Sequence, residues 1–313
     1  MLQWRDSPIP SMPAVSRARS CTCAALIALA LLGSVAASAA PVVPNTAVAA
    51  GTGTVLARSV LVQRHASRGT ESDGRDLRVN LLIGIVGVGL TDRTDLFVAQ
   101  PLVDTRLRLT AANGQRVERG ARGLGDPRVF LNHVWLQRDG PSGKLDVNAT
   151  FGARVPLGVS GAEDDFGRVP EALQPGGGSW GFFVGSGLTW RGSGRQFDME
   201  LRHGRNLTND GFRLGATTTL DTSLQWSLRG ETWAGARWMG LLELNAQHVA
   251  PNERTGLRLD DTGGTRLLLS PGVQTLSRHG ILDVLVQIPI LNDVRGHGLH
   301  EDLTLRLGYR RRF

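Results

Sequence analysis

Lysine is almost absent from this chain: of its 35 basic residues only Lys144 is not an arginine. Tyrosine occurs once, as Tyr309, and both cysteines, Cys21 and Cys23, lie before residue 40. If that leading stretch is removed on export, the mature chain can form neither a disulfide framework nor a thiolate metal centre. After residue 40 no apolar run reaches the roughly 18 residues of a spanning helix, so any membrane crossing there must be made by strands. No block of one charge sign is present either. The arginines are dispersed along the chain, which argues against a nucleic-acid partner.

What is present begins with a secretory pattern. Arg17 and Arg19 form a cationic n-region, Ala24 to Leu32 an apolar core, and Ala37-Ser38-Ala39 a small-residue cleavage site. Residues 1–39 are therefore expected to be a signal peptide, with cleavage after Ala39. The loss removes three arginines and one aspartate, taking the net charge from +7 to +5. Residues 40–53 are rich in Ala, Val and Pro without periodicity and are expected to form a periplasmic lead-in. The remainder, 54–313, reads as an all-β, transmembrane antiparallel β-barrel of about 12 strands.

The final stretch, Glu301 to Phe313, shows why. Leu303, Leu305, Leu307 and Tyr309 fall on one face of a strand, and Thr304, Arg306, Gly308 and Arg310 on the other. A soluble sheet would rarely end on so flat an apolar ladder, because unpaired edge groups beside leucines invite aggregation. In a closed barrel the leucines meet lipid, the arginines meet a watery lumen, and both edges are paired. Tyr309 and the terminal Phe313 also resemble the signature that the barrel-assembly machinery reads at the end of bacterial outer-membrane proteins. Arg311 departs from it.

Twelve strand-like segments are expected: 54–65, 77–90, 94–109, 126–138, 145–157, 180–191, 196–207, 216–229, 238–250, 266–277, 281–291 and 301–313. The second and fourth alternate poorly. Short and long connections alternate along the whole chain, as they do in outer-membrane barrels with tight periplasmic turns and longer outer loops. Trp135, Trp190, Trp226, Trp233 and Trp238 lie near the short turns, where an interfacial girdle would run. A soluble β-sandwich is the competing fold, and it gives no reason for that regularity.

On the better-phased strands the lumen is expected to receive Asp146, Asp198, Glu200, Asp221, Glu243 and Asp283, together with Arg154, Arg202, Arg229, Arg266, Arg306 and Arg310. A wall so balanced in sign favours a neutral or weakly charged solute. Twelve strands tilted by about 40° give a backbone radius of roughly 12 Å, which side chains narrow further, so general diffusion is disfavoured. The longest loop, 158–179, is the candidate constriction or lid.

No catalytic, cofactor or metal site is expected. His133, His203 and His248 sit within strands but beside no serine that would make a hydrolase. Glu163, Asp164 and Asp165, like Asp260 and Asp261, are read as solvated acids rather than cation ligands. The glycine-rich Gly84 to Gly89 is a strand of small bulk, not a phosphate loop.

Four blocks then carry a family resemblance: G-V-G-L-T-D-R-T-D-L-F-V-A-Q-P-L-V-D from Gly87, G-L-G-D-P from Gly123, V-P-L-G from Val155 and L-Q-P-G-G-G-S-W from Leu173. They resemble the meta-pathway phenol-degradation family of outer-membrane transporters, whose usual P-T-G stands here as Pro156-Leu157-Gly158. The resemblance implies a barrel for passive uptake of aromatic or other hydrophobic small molecules. Its expected partners are outer-membrane lipid, the assembly machinery and the solute, with no nucleic acid. An outer-membrane hydrolase and a purely structural barrel are the competing functions.

Overall fold

Every wall strand expected after Thr54 is present in the computed structural model, which describes residues 41–68, 74–111, 113–232, 236–296 and 298–313. The strands of the large sheet are β1 (Val55–Arg68), β2 (Asp76–Gly89), β3 (Thr94–Thr110), β4 (Arg116–Leu124), β5 (Arg128–Gly140), β6 (Gly143–Arg154), β7 (Gly181–Gly192), β8 (Arg195–Asn206), β9 (Thr217–Thr232), β10 (Ala236–Val249), β11 (Gly264–Ser277), β12 (Gly280–Val294) and β13 (His300–Arg312), with short strands of two or three residues in the long loops besides. Twelve of them pair antiparallel in chain order, and β1 closes against β13 from Leu56↔Arg312 through Val62↔Arg306 and beyond. The backbone of Phe313 completes the seam, donating to Val55 O at 2.8 Å. Both ends of the wall thus lie at the end of the barrel that carries the tight turns.

Pairing satisfies the backbone of every strand from a neighbour, which lets a strand cross hydrocarbon. Side chains then sort by parity. Leu303, Leu307 and Tyr309 are exposed on the outer face, while Thr304 between them is buried. The six acidic residues expected inside are all buried, with Asp146, Asp198, Glu243 and Asp283 fully so. Replacing Leu307 by Arg should cost about 2–4 kcal/mol, the penalty for a cation facing lipid near mid-membrane. Urea unfolding from lipid vesicles would measure it, and a cost near zero would place Leu307 elsewhere.

Two features of the wall differ from expectation, and another accounts for an irregularity already visible in the sequence. First, the connection read as 110–125 contains β4, which pairs with the outer half of β3 while the inner half of β3 pairs with β5. β2 pairs with β3 along nearly its whole length, so β4 is an added strand that takes the edge of β3 left beyond the start of β5.

Second, β2 and β5 alternate poorly for distinct reasons. The register Val60↔Ile83 and Arg58↔Ile85, with Ile85↔Ala99 and Ile83↔Pro101, puts the apolar odd residues of β2 on the lumen side. With apolar groups on both faces, period two vanishes. In β5 the pairing slips between Val134 and Leu136, a bulge that switches the facing partway.

Third, β6 ends at Arg154, so Val155 and Leu157 belong to the next turn rather than to its lipid face. Pro156, which has no N–H to give a ladder, coincides with that exit.

The largest difference concerns the stretch before Val55. Rather than trailing away as a lead-in, Pro41 to Gly53 runs inside the wall. Its residues bond to strands spaced around the whole circumference: β3, β7, β8, β10, β13 and β1.

Candidate functional site: a plugged lumen with one apolar side

The plug is held chiefly by carboxylates that receive its backbone. Glu243 accepts Val42 N–H at 2.7 Å and Val43 N–H at 3.2 Å, one on each oxygen. Glu200 accepts Asn45 N–H at 2.9 Å and its side-chain amide at 3.0 Å. Thr189 takes Ala47 N–H, and Asp95 takes Ala50 N–H at 3.0 Å. A segment crossing a pore must satisfy each backbone group it takes from water, and buried carboxylates supply the strongest acceptors for the purpose. Val42 adds an apolar contact, packing with Leu241 and Leu285. At the tight-turn rim Asp92 receives both the N–H and the hydroxyl of Thr52, which lowers its pKa below the ordinary carboxylate value.

The structure places the other expected lumen residues on the same inner surface and engages them with one another. Asp146 pairs with Arg191 at 2.6 Å, Arg202 with Glu200 at 2.9 Å, and Arg310 with Asp283 at 3.3 Å. Arg154 reaches Asp126 at 3.4 Å and Arg266 reaches Glu301 at 3.8 Å. Asp198 accepts from Thr189, Gln196 and Gln225, and Asp221 from Asn245. Arg306 donates to Gln287 at 2.6 Å. The side chain of Arg229 lies outside the described residues. These groups form a braced ionic half of the wall, from β6 round to β13.

The side of the lumen centred on β2, β3 and β5 carries larger apolar groups, with Asp95 and Asn132 buried among them. Phe97 on β3, Phe130 on β5 and Phe183 on β7 form an aromatic ladder, with ring centroids 5.0 Å apart for the first pair and 5.9 Å for the second. Glycines stand opposite these rings across the sheet, Gly87 opposite Phe97 and Gly152 opposite Phe130 and Phe183. A Cβ at Gly87 would collide with the Phe97 ring, and one at Gly152 with Phe130 and Phe183. Between this wall and the plug lies a cavity of about 200 Å³, lined among others by Leu56, Ile85, Phe97, Phe130 and the plug's Pro44 and Val48. Period-two reading missed the ladder because its rings sit on three strands; only the pairing of each Phe with a glycine across the sheet signals it.

At the long-loop end, three family-like blocks meet on one buried side chain. Asp126 accepts Gly158 N–H at 3.0 Å and Gly177 N–H at 2.8 Å, besides pairing with Arg154. The loop 158–179 then folds over the inner face of β3, where Thr105 donates to Leu173 O at 2.6 Å. Its outer arm is fastened by Arg119 to Asp164 at 2.7 Å, and this bond is the main reason the Asp164 pKa lies below its ordinary 3.8. A depressed carboxylate contributes docking strength above its ordinary pKa and loses it as pH falls through the depressed value. Hydrogen exchange in 160–170, corrected for intrinsic rates, should therefore be unchanged from neutral pH down through the ordinary carboxylate value and rise only below 3.8. Asp164→Asn should show the fast exchange at every pH.

The expected assembly-signal residues sit at the seam. Tyr309 is half-exposed on the lipid face with its hydroxyl on His279 O, and Arg311 lies over the Phe313 ring. The strand histidines each meet a threonine: His133 with Thr94, His203 with Thr218, His248 with Thr265. None of these pairs supplies a serine nucleophile.

The sequence pattern of the family described as the MetA-pathway of phenol degradation matches residues 86–290. The chain belongs to that family. Among solved structures, the COG4313 outer membrane channel from Pseudomonas putida F1 superposes with a TM-score of 0.67 at 16% identity, over 87% of this chain and all (100%) of that one. The β domain of the Bordetella autotransporter BrkA gives 0.40 at 16% identity, over 84% and 100% of the two chains. No curated protein matches the sequence. The first of these likenesses shows the fold, a closed antiparallel β-barrel of the outer-membrane kind.

Proposed function

We propose that this chain is an outer-membrane channel for passive passage of small hydrophobic solutes, aromatic ones foremost, with the segment Pro41 to Gly53 as its gate. The carrying observation is the sidedness of the lumen. Ionic side chains on one half are committed to one another and to the plug, while the other half offers a phenylalanine ladder and an apolar cavity. The ladder offers an aromatic solute one ring face after another along its path, a contact that a sugar cannot make equally well. The family and the fold of the Pseudomonas putida channel support the reading.

In this reading the solute enters beneath loop 158–179, moves along the ladder, and leaves as the plug swings away from the wall. Export by the signal peptide 1–39 and insertion guided by Tyr309 and Phe313 belong to the same proposal, with outer-membrane lipid and the assembly machinery as partners. The test is uptake into vesicles whose outer leaflet is lipopolysaccharide, which itself resists hydrophobic solutes. Protein should speed entry of radiolabelled ethylphenol well above entry of arabinose. Equal entry of both would indicate a general pore, and entry of neither a structural barrel.

A further inference from the structure

Three arginines beside the closing seam each spend a guanidinium nitrogen on a plug carbonyl. Arg58 donates to Val42 O, Arg310 to Pro41 O at 3.1 Å and Arg312 to Ala50 O at 2.7 Å. Arg310 has an acidic partner in Asp283, but among the described residues no ion pair to a carboxylate joins Arg58 or Arg312. The carboxylates whose charge reaches them, Glu243 and Asp95, are occupied by plug N–H groups. The Nε atoms of Arg58 and Arg312 are buried and make no hydrogen bond. A half-buried cation whose Nε has no partner and whose terminal nitrogen meets a neutral carbonyl is poorly compensated, since a carboxylate is the far stronger acceptor and matches the guanidinium fork.

These arginines also line the cavity beside the phenylalanine ladder, and no acidic residue lines it with them. Arg58 stands opposite Arg310 and Leu56 opposite Arg312. Arg58 and Arg312 are therefore diagonal neighbours on one face, their Cβ atoms roughly 7–8 Å apart, and both side chains line the cavity. An apolar cavity of about 150 Å³ can hold a benzene. One of about 200 Å³ has room for a phenyl ring on a short arm.

We infer that this cavity binds a hydrophobic monocarboxylate. Its apolar part lies against Phe97 and Phe130, and its carboxylate lies between Arg58 and Arg312. The carboxylate takes the places held by the carbonyl oxygens of Val42 and Ala50, so binding loosens the plug at two of its fastenings. This narrows the solute class of the proposed channel and rests on that reading. It also changes the expected sign: the balanced charges of the wall cancel in pairs, and what remains beside the cavity is cationic.

The test uses full-length protein in lipid nanodiscs and equilibrium dialysis of three probes: 3-phenylpropionate, its neutral amide 3-phenylpropanamide, and octanoate. Phenylpropionate should bind about tenfold or more tightly than the amide, as expected for a charge-assisted bond. In the double variant Arg58→Gln/Arg312→Gln the acid and the amide should bind equally. Octanoate binding as tightly as phenylpropionate would assign recognition to the head group, and weaker octanoate binding would add the ladder; either supports the inference. Amide and acid binding equally, or a preference that survives the double variant, would overturn it and leave the hydrophobic channel standing. Failure of all three probes to bind would remove the cavity as a site, and the proposed function would fail with it.

A second readout needs no arginine variant. In Ala47→Cys protein, phenylpropionate should speed maleimide labelling of the plug severalfold where the amide does not. Equal labelling rates would refute the coupling.

Discussion

Glu243→Gln and Glu200→Gln, singly and together, are expected to open the channel. Each carboxylate accepts two plug donors in a buried setting, and a glutamine can accept on only one atom while presenting an amide donor to the other N–H. A hydrogen bond to a charged group contributes about 1.5–3 kcal/mol, so losing one charge-assisted acceptor should raise the open population at least tenfold. In planar bilayers wild-type protein should show a small conductance with rare large openings. Each single variant should lengthen the fraction of time spent open, and the double variant should dwell mainly in the large state. Glu200 also pairs with Arg202, so its variant carries a second loss, and Glu243→Gln is the cleaner of the two. Unchanged gating in the double variant would mean that the plug is fastened by something other than these carboxylates.

Substituting the glycines under the ladder is expected to close the apolar path without unfolding the barrel. At Gly87 even an alanine methyl would meet the Phe97 ring, and at Gly152 it would meet Phe130 and Phe183. Overpacking of this kind typically costs about 1–3 kcal/mol. The easiest relief is for the ring to swing off the wall, and the space in front of Phe97 is the cavity. Gly87→Val should therefore cut uptake of aromatic solutes severalfold, with barrel stability lowered only within that range. The pair Gly87→Val/Phe97→Ala should recover part of the uptake, because the valine then fills the place of the lost ring. A double variant as poor as the single one would show that Phe97 does not act by occupying the cavity.

How much of this was legible before the fold was known depends on where polar and apolar groups had to differ. β8, β9 and β13 were readable because one face meets lipid and the other meets carboxylates and arginines, as with Leu303, Leu307 and Thr304. β2 was not, because Ile83 and Ile85 face a lumen that is itself apolar on that side. β4 was hidden in a glycine- and arginine-rich stretch that pairs with the outer half of β3.

The plug left almost no trace. Residues 41–53 have no period, since an irregular segment inside a pore follows the positions of its acceptors rather than a repeat. Those acceptors lie far along the chain: Glu243 is 201 residues from Val42, and Glu200 is 155 from Asn45. The inward acids were found individually, but their pairing with one another and with the plug follows from closure, which brings β1 to β13 and sets Arg58 and Arg310 side by side.

The most direct measurement joins the plug to the wall. The chain has no cysteine after residue 40, so Ala47→Cys with Thr189→Cys introduces a single pair where Ala47 N–H already meets Thr189 Oγ1 at 2.8 Å. If passage requires the plug to leave, the oxidised protein should admit no more ethylphenol than protein-free vesicles, and reduction should restore wild-type uptake. Uptake by the oxidised, verified disulfide form at the wild-type rate would contradict a gate at Pro41 to Gly53 and require a route that bypasses it.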